Sequence, residues 1–121
     1  MKLREVIQIL DAVTLNNNVQ DKLDMDIKMA CGCDLMSDVL AFIKSNALLL
    51  TGLTTAQVIY TAENSEVDVV CFVRGKKPGR EIINLAKKKN IILIATKHPL
   101  FESCGLLYKN GLAGCSEMNE G

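Results

Sequence analysis

Apolar positions along this chain follow two rhythms, a helical one with a repeat of about 3.6 residues and short unbroken runs typical of buried strands. Leu3, Val6, Ile7 and Leu10 stand at i, i+3, i+4 and i+7, one stripe of an amphipathic helix. Asn16-Asn17-Asn18 then breaks the pattern as a turn. Residues 26–33 read as a strand interrupted by Lys28. Asp34 is the expected N-cap of a helix whose stripe is Met36, Val39, Leu40 and Ile43. Ala47-Leu48-Leu49-Leu50 is wholly apolar. Thr54 or Thr55 is expected to cap the next helix, with Thr55, Val58, Ile59 and Ala62 inward. Residues 67–73 predict a strand and 79–90 a helix, with Ile82, Ile83 and Ala86 inward. Lys87, Lys88 and Lys89 lie at that helix's C-terminal end, where cations complement the dipole. Residues 91–95 are another apolar strand, and a last helix carries Leu100, Cys104, Leu107 and Tyr108 and stops near Gly111.

Strands that are apolar on both faces must be covered on both faces. Alternation with helices therefore predicts a three-layer α/β fold, a mainly parallel sheet with helices on either side. Right-handed crossovers follow. With no internal linker or repeat, residues 1–112 are expected to form one domain, and 113–121, small and polar, a disordered C-terminal tail.

Composition narrows the partners. Lys plus Arg and Asp plus Glu number 14 each, so neither nucleic acid nor an acidic membrane surface is favoured electrostatically. Near-neutrality also leaves self-association unopposed. The cysteines are Cys31, Cys33, Cys71, Cys104 and Cys115, an odd number in apolar contexts, as expected of reduced thiols in a cytoplasmic protein. Lys2, Arg4 and Glu5 interrupt any apolar signal core, and no apolar run approaches the ~20 residues of a membrane helix.

Asp34-Leu35-Met36-Ser37-Asp38-Val39-Leu40-Ala41, Leu50-Thr51-Gly52-Leu53-Thr54, Val73-Arg74-Gly75-Lys76-Lys77-Pro78, and Thr96 with Phe101-Glu102-Ser103-Cys104-Gly105 follow in an order and spacing that resembles a stand-alone DRTGG domain. The resemblance spans most of the chain, from Met1 to about Leu112. Related domains occur in phosphate acetyltransferases and between the CBS domains of regulatory pyrophosphatases, and stand-alone members are often labelled relatives of HPr kinase. It implies a regulatory, subunit-joining role, and with the near-zero charge it points to a homodimer. The chain departs from the family at its name residues: Leu53-Thr54 stand in place of Asp-Arg, and Val73-Arg74-Gly75 in place of Thr-Gly-Gly. No ligand contact can be carried over through those positions.

In an open parallel sheet, ligands sit beyond the carboxyl ends of the strands. The candidate ligand-binding residues there are Thr51, Gly52, Thr54, Arg74, Gly75, Lys76, Thr96 and His98. Hydroxyls, glycines and cations at helix N-termini suit a phosphate or carboxylate, with Arg74 as the preferred anchor because its planar fork grips two oxygens. The same residues also serve as ordinary caps and turns. No catalytic set emerges. Phosphoryl transfer needs a G-x-x-x-x-G-K-[ST] loop, and Gly75-Lys76-Lys77-Pro78-Gly79-Arg80 has the wrong spacing and a proline without an N–H donor. Cys31-Gly32-Cys33 with His98 as the lone histidine falls short of a zinc site and is not a C-x-x-C redox motif. Asp34 and Asp38 complement a helix dipole, and Ser37 and Ser103 lack a nucleophile elbow. No metal or cofactor is expected.

The sequence thus supports a non-catalytic regulatory module that binds an anionic small molecule such as a nucleotide or phosphometabolite. The alternative is an interaction subunit that docks onto an enzyme complex without a small-molecule ligand. A small enzyme using His98 with Lys76 or Lys97 is the third reading.

Overall fold

The computed structural model describes residues 1–16 and 19–116. Along the chain run α1 (Leu3–Leu10), β1 (Val13–Thr14), a 3-10 turn (Gln20–Lys22), β2 (Met29–Gly32), α2 (Met36–Phe42), β3 (Ala47–Thr51), α3 (Ala56–Asn64), β4 (Val69–Phe72), α4 (Arg80–Lys88), β5 (Ile92–Ala95), α5 (Leu100–Lys109) and β6 (Ala113–Gly114). The six strands form one sheet in the order β1-β5-β4-β3-β2-β6. All neighbours are parallel except β1, which runs antiparallel to β5. The expected α/β architecture is what the chain adopts.

The strand order explains where the helices lie. From β2 to β5 the chain advances one strand at a time, so right-handed crossovers place α2, α3 and α4 on one face. There Met36, Val39, Val58, Ile59, Ala62 and Ala86 pack on Leu49, Val70, Phe72 and Leu93. After β5 the chain returns across the whole sheet to β6, which carries α5 over the other face beside α1. Leu3, Val6, Leu10 and Leu107 there meet Leu48, Leu50, Cys71 and Ile94. Each fully buried leucine of β3 contributes about 1.5–3 kcal/mol of transfer free energy.

Local chemistry sets the helix ends. The Glu5 carboxylate accepts the Lys2 backbone N–H at 2.9 Å, and α1 stops where Asp11 turns to φ 49°. Lys87 and Lys88 occupy the last turn of α4, and Asn90 reverses the chain at φ 59°.

Several expectations need correction. Asp34 does not cap α2; Leu35 holds that position without a side-chain bond, and the Asp34 carboxylate reaches β3 instead. Thr55 is the N-cap of α3, yet no side chain caps it, and Thr55 is exposed rather than inward. Leu40 and Tyr108 are 53% and 62% exposed, so neither belongs to the core. The seven-residue α2 lies over the β2 side of the sheet and commits only Met36 and Val39 inward. On α5 Leu107 takes the inward position, which turns Tyr108 outward. Asn16, expected in a turn, is buried and continues the β1 edge: its amide donates to Ile91 O at 2.7 Å and its Oδ1 accepts Leu93 N–H at 3.2 Å. Asn17 and Asn18 of that turn lie outside the described residues. The sheet also runs past Leu112, where a tail was expected: Ala113 and Gly114 pair with Met29 and Ala30, and Cys115 is buried. Residues 117–121 lie outside the described residues.

Candidate functional site

Because β2 to β5 are parallel and in register, their carboxyl ends share one edge. Thr51 pairs with Phe72 and Phe72 with Ala95, so the loops after β3, β4 and β5 leave side by side, as the candidate site requires. The helices following β4 and β5 depart on opposite faces. A switch of helix side at strand ends is the usual ligand position in an open α/β sheet.

The two halves of this edge are built differently. At the β2–β3 end, Asp34 Oδ1 accepts both the Thr51 hydroxyl and the Gly52 N–H, each at 2.8 Å. Thr51 Oγ1 in turn accepts Leu53 N–H at 3.2 Å. The donors that would meet an external anion already hold an internal one. Thr54 is half-buried in the loop beyond.

At the β4–β5 end the closure is backbone to backbone. Arg74 N–H donates to His98 O at 2.9 Å and Gly75 N–H to Thr96 O at 2.8 Å. Both residues are left-handed, at φ 59° and 70°. For an arginine that conformation costs on the order of 1–2 kcal/mol. The buried Thr96 hydroxyl donates to Leu10 O at 2.6 Å and accepts His98 N–H at 3.3 Å. The Ser103 hydroxyl, fully buried, donates to His98 O at 3.2 Å. Thr51 and Thr96 therefore shape the loops, while Arg74, Gly75 and Lys76 are exposed and His98 is half-buried.

Beside this seam lies a cavity of about 180 Å³, with Gly75 and Thr96 in its wall and Asp11, Lys77 and Lys97 at its margin. No ion pair among the described residues involves Arg74, Lys76, Lys77 or Lys97. The volume suits a phosphate or carboxylate group rather than a whole nucleotide. A roomier cavity of about 350 Å³ lies elsewhere, between α5 and the β2–β6 edge, and is lined by Ala30, Gly32, Leu107, Tyr108 and other largely apolar positions.

Sequence reasoning missed Asp34 as the β2–β3 staple and Ser103 as the prop under His98. Asp34 follows β2 directly, so parallel strands alone place it at the same edge as Thr51. Ser103 gave no such signal, since a serine inside an amphipathic helix reads as solvated. Thiol nucleophiles are poorly prepared: burial pushes both Cys31 and Cys71 up to about 12, and raises Cys104 too. Among the described residues, no three His, Cys, Asp or Glu side chains are grouped to hold a metal ion. Nor is any described helix long and apolar enough to cross a membrane.

The architecture is that of an α/β domain with a small cavity beside the β4–β5 seam. No protein-family model and no curated protein matches the chain. Among solved structures it is similar to the CBS and DRTGG domains of the regulatory region of Clostridium perfringens pyrophosphatase, complexed with the activator diadenosine tetraphosphate. The TM-score is 0.70 at 24% identity, over 88% of this chain and 45% of that one. The chain thus spans less than half of that structure's length, and the likeness establishes a shared fold.

Proposed function

We propose that the chain is a DRTGG-like, non-catalytic regulatory module of the cytoplasm that works as a homodimer and senses an anionic small molecule. The observation that carries this reading is the small cavity beside the β4–β5 seam, lined by Lys77 and Lys97 with Asp11 as the acid among them; Gly75 in its wall is next in the chain to the strained Arg74. An anion there gains charge-assisted bonds from Lys77 and Lys97, and Arg74, Lys76 and His98 stand on the same loops to reach the part of a ligand that lies outside. The pyrophosphatase regulatory region, which has a phosphate-rich activator, supports an anionic ligand. A volume of about 180 Å³ is consistent with one phosphoryl or carboxylate group of such a ligand, with the remainder outside.

A thermal-shift screen with nucleotides, phosphometabolites and inorganic phosphate tests this. A specific ligand raises the melting temperature by mass action, and Arg74→Ala weakens the best hit at least about fivefold, roughly 1 kcal/mol. A change below twofold would remove the anion site from consideration. Light scattering at micromolar concentration gives the dimer mass.

A second reading, an interaction subunit without a small-molecule ligand, is favoured by Phe101 and Phe42, 85% and 66% exposed. A protein that no anion stabilises, yet that binds an enzyme through these phenylalanines, would establish it.

A further inference from the structure

β6 meets β2 through only two residue pairs, Met29 with Ala113 and Ala30 with Gly114. Cys31 follows Ala30 directly on β2, and Cys115 follows Gly114 directly, at the start of the 3-10 turn that ends β6. Neighbouring strands lie about 4.8 Å apart, within the Cα separation that a disulfide spans. Other contacts agree with this placement. Cys115 packs with Met29 and Ala47 in a small cluster that Cys31 also touches, and the Cys115 thiol adds to the burial that raises Cys31. The Cys115 thiol also points to Ala30 O at 3.8 Å. Both thiols are free in this structure.

We propose that Cys31 and Cys115 are a disulfide-forming pair whose oxidation clasps β6 onto β2. The other thiols are worse partners for Cys31. Cys33 follows it by two residues on an extended strand, some 6–7 Å along the chain and beyond the Cβ reach of a disulfide. Cys104 lies under the opposite face: a Cβ added to Gly32, whose direction alternates with that of Cys31, would come 2.5 Å from the Cys104 sulfur.

The reaction needs an oxidant, and a low-molecular-weight disulfide supplies it. One thiolate of the pair attacks a sulfur of that disulfide and expels one thiolate. The second protein thiolate then attacks the mixed disulfide and expels the other. Two protons leave the protein thiols, Sγ–Sγ forms, and the small disulfide is reduced to two thiols. Burial keeps the Cys31 thiol protonated at neutral pH, so the closed pair reacts slowly and opening of the short β6 exposes it. Ala113 and Gly114 also line the 350 Å³ cavity. The clasp therefore fixes one wall of that cavity.

The test is incubation of the full, reduced chain with oxidised glutathione, followed by thiol counting, intact mass and peptide mapping. The expected result is loss of two thiols and two hydrogens, with a peptide that links Cys31 to Cys115. Cys33→Ser keeps the link, and Cys115→Ala and Cys31→Ala each lose it while retaining the native circular dichroism spectrum. Amide exchange at Ala113 and Gly114 slows about tenfold or more on oxidation. A bond from Cys31 to Cys33 or Cys104, persistence of two-thiol loss in Cys115→Ala, or glutathione adducts alone would overturn the assignment. So would unchanged exchange at Ala113 and Gly114 in the linked protein.

Discussion

The β2–β3 and β4–β5 ends of the sheet face the same problem, that of leaving a parallel sheet without stranding backbone donors. The first end solves it with a carboxylate: Asp34 takes up the Thr51 hydroxyl and the Gly52 N–H. The second solves it with carbonyls, His98 O and Thr96 O accepting Arg74 and Gly75. A carboxylate brings a charge and a carbonyl does not. One half of the edge therefore carries its own negative charge among its donors, while at the other no ion pair among the described residues engages Arg74, Lys77 or Lys97. An edge built from similar loops is thus divided into a half that holds its own acceptor and a half whose cations stay exposed.

The largest expected effect breaks the first half. Asp34→Ala leaves a buried hydroxyl and an amide without their acceptor, at a cost of about 2 kcal/mol, reduced from the buried limit because Asp34 itself is exposed. Urea denaturation measures the loss. The vacated donors should then respond to phosphate: the Gly52 amide signal shifts on phosphate addition in Asp34→Ala and stays still in the wild type. A shifting wild-type Gly52 would erase the contrast between the two ends.

Next in size is Gly75→Ala. At φ 70° a Cβ costs on the order of 1–2 kcal/mol although nothing lies within 4 Å of it, so the penalty is conformational and not steric crowding by neighbours. Thermal unfolding reads it out. Arg74→Gly sharpens the comparison from the opposite side. Relief of the left-handed strain stabilises the protein by up to about 1 kcal/mol, while loss of the guanidinium weakens anion binding. Stability and affinity moving in opposite directions marks strain held for function; both falling would make Arg74 a structural residue. The smallest effect on stability is expected for Lys77→Glu, within about 0.5 kcal/mol at an exposed position. Phosphate binding measured by calorimetry should nevertheless be lost.

The interior strands were legible because each is apolar throughout. Leu48-Leu49-Leu50, Val69-Val70-Cys71-Phe72 and Ile92-Leu93-Ile94 leave no solvated face, and a parallel sheet covered on both sides is the arrangement that accepts them. The edges were not legible. Val13–Thr14 and Ala113–Gly114 are too short for any period to register, and their pairing depends on partners distant in the chain. The adjacency of the three candidate loops followed from strand order. The engagement of their hydroxyls did not, since Thr51 and Thr96 each bond a residue far off in sequence, Asp34 and Leu10. The one-stripe view of a helix also assigned Leu40 and Tyr108 to a core that their helices, flanked on one side only, do not build.

The strand order has a kinetic consequence as well. From β2 to β5 every new strand pairs with its immediate predecessor, so each step closes a loop of one helix, and loop closure of that size carries little entropic penalty. The edge pairings, β1 on β5 and β6 on β2, and the packing of α1 against α5, join the two ends of the chain and close far larger loops. The four parallel strands with α2, α3 and α4 can therefore assemble progressively as a local nucleus. The face carrying α1 and α5 is completed afterwards, and the rate of folding is governed by that late, long-range closure rather than by the sheet itself.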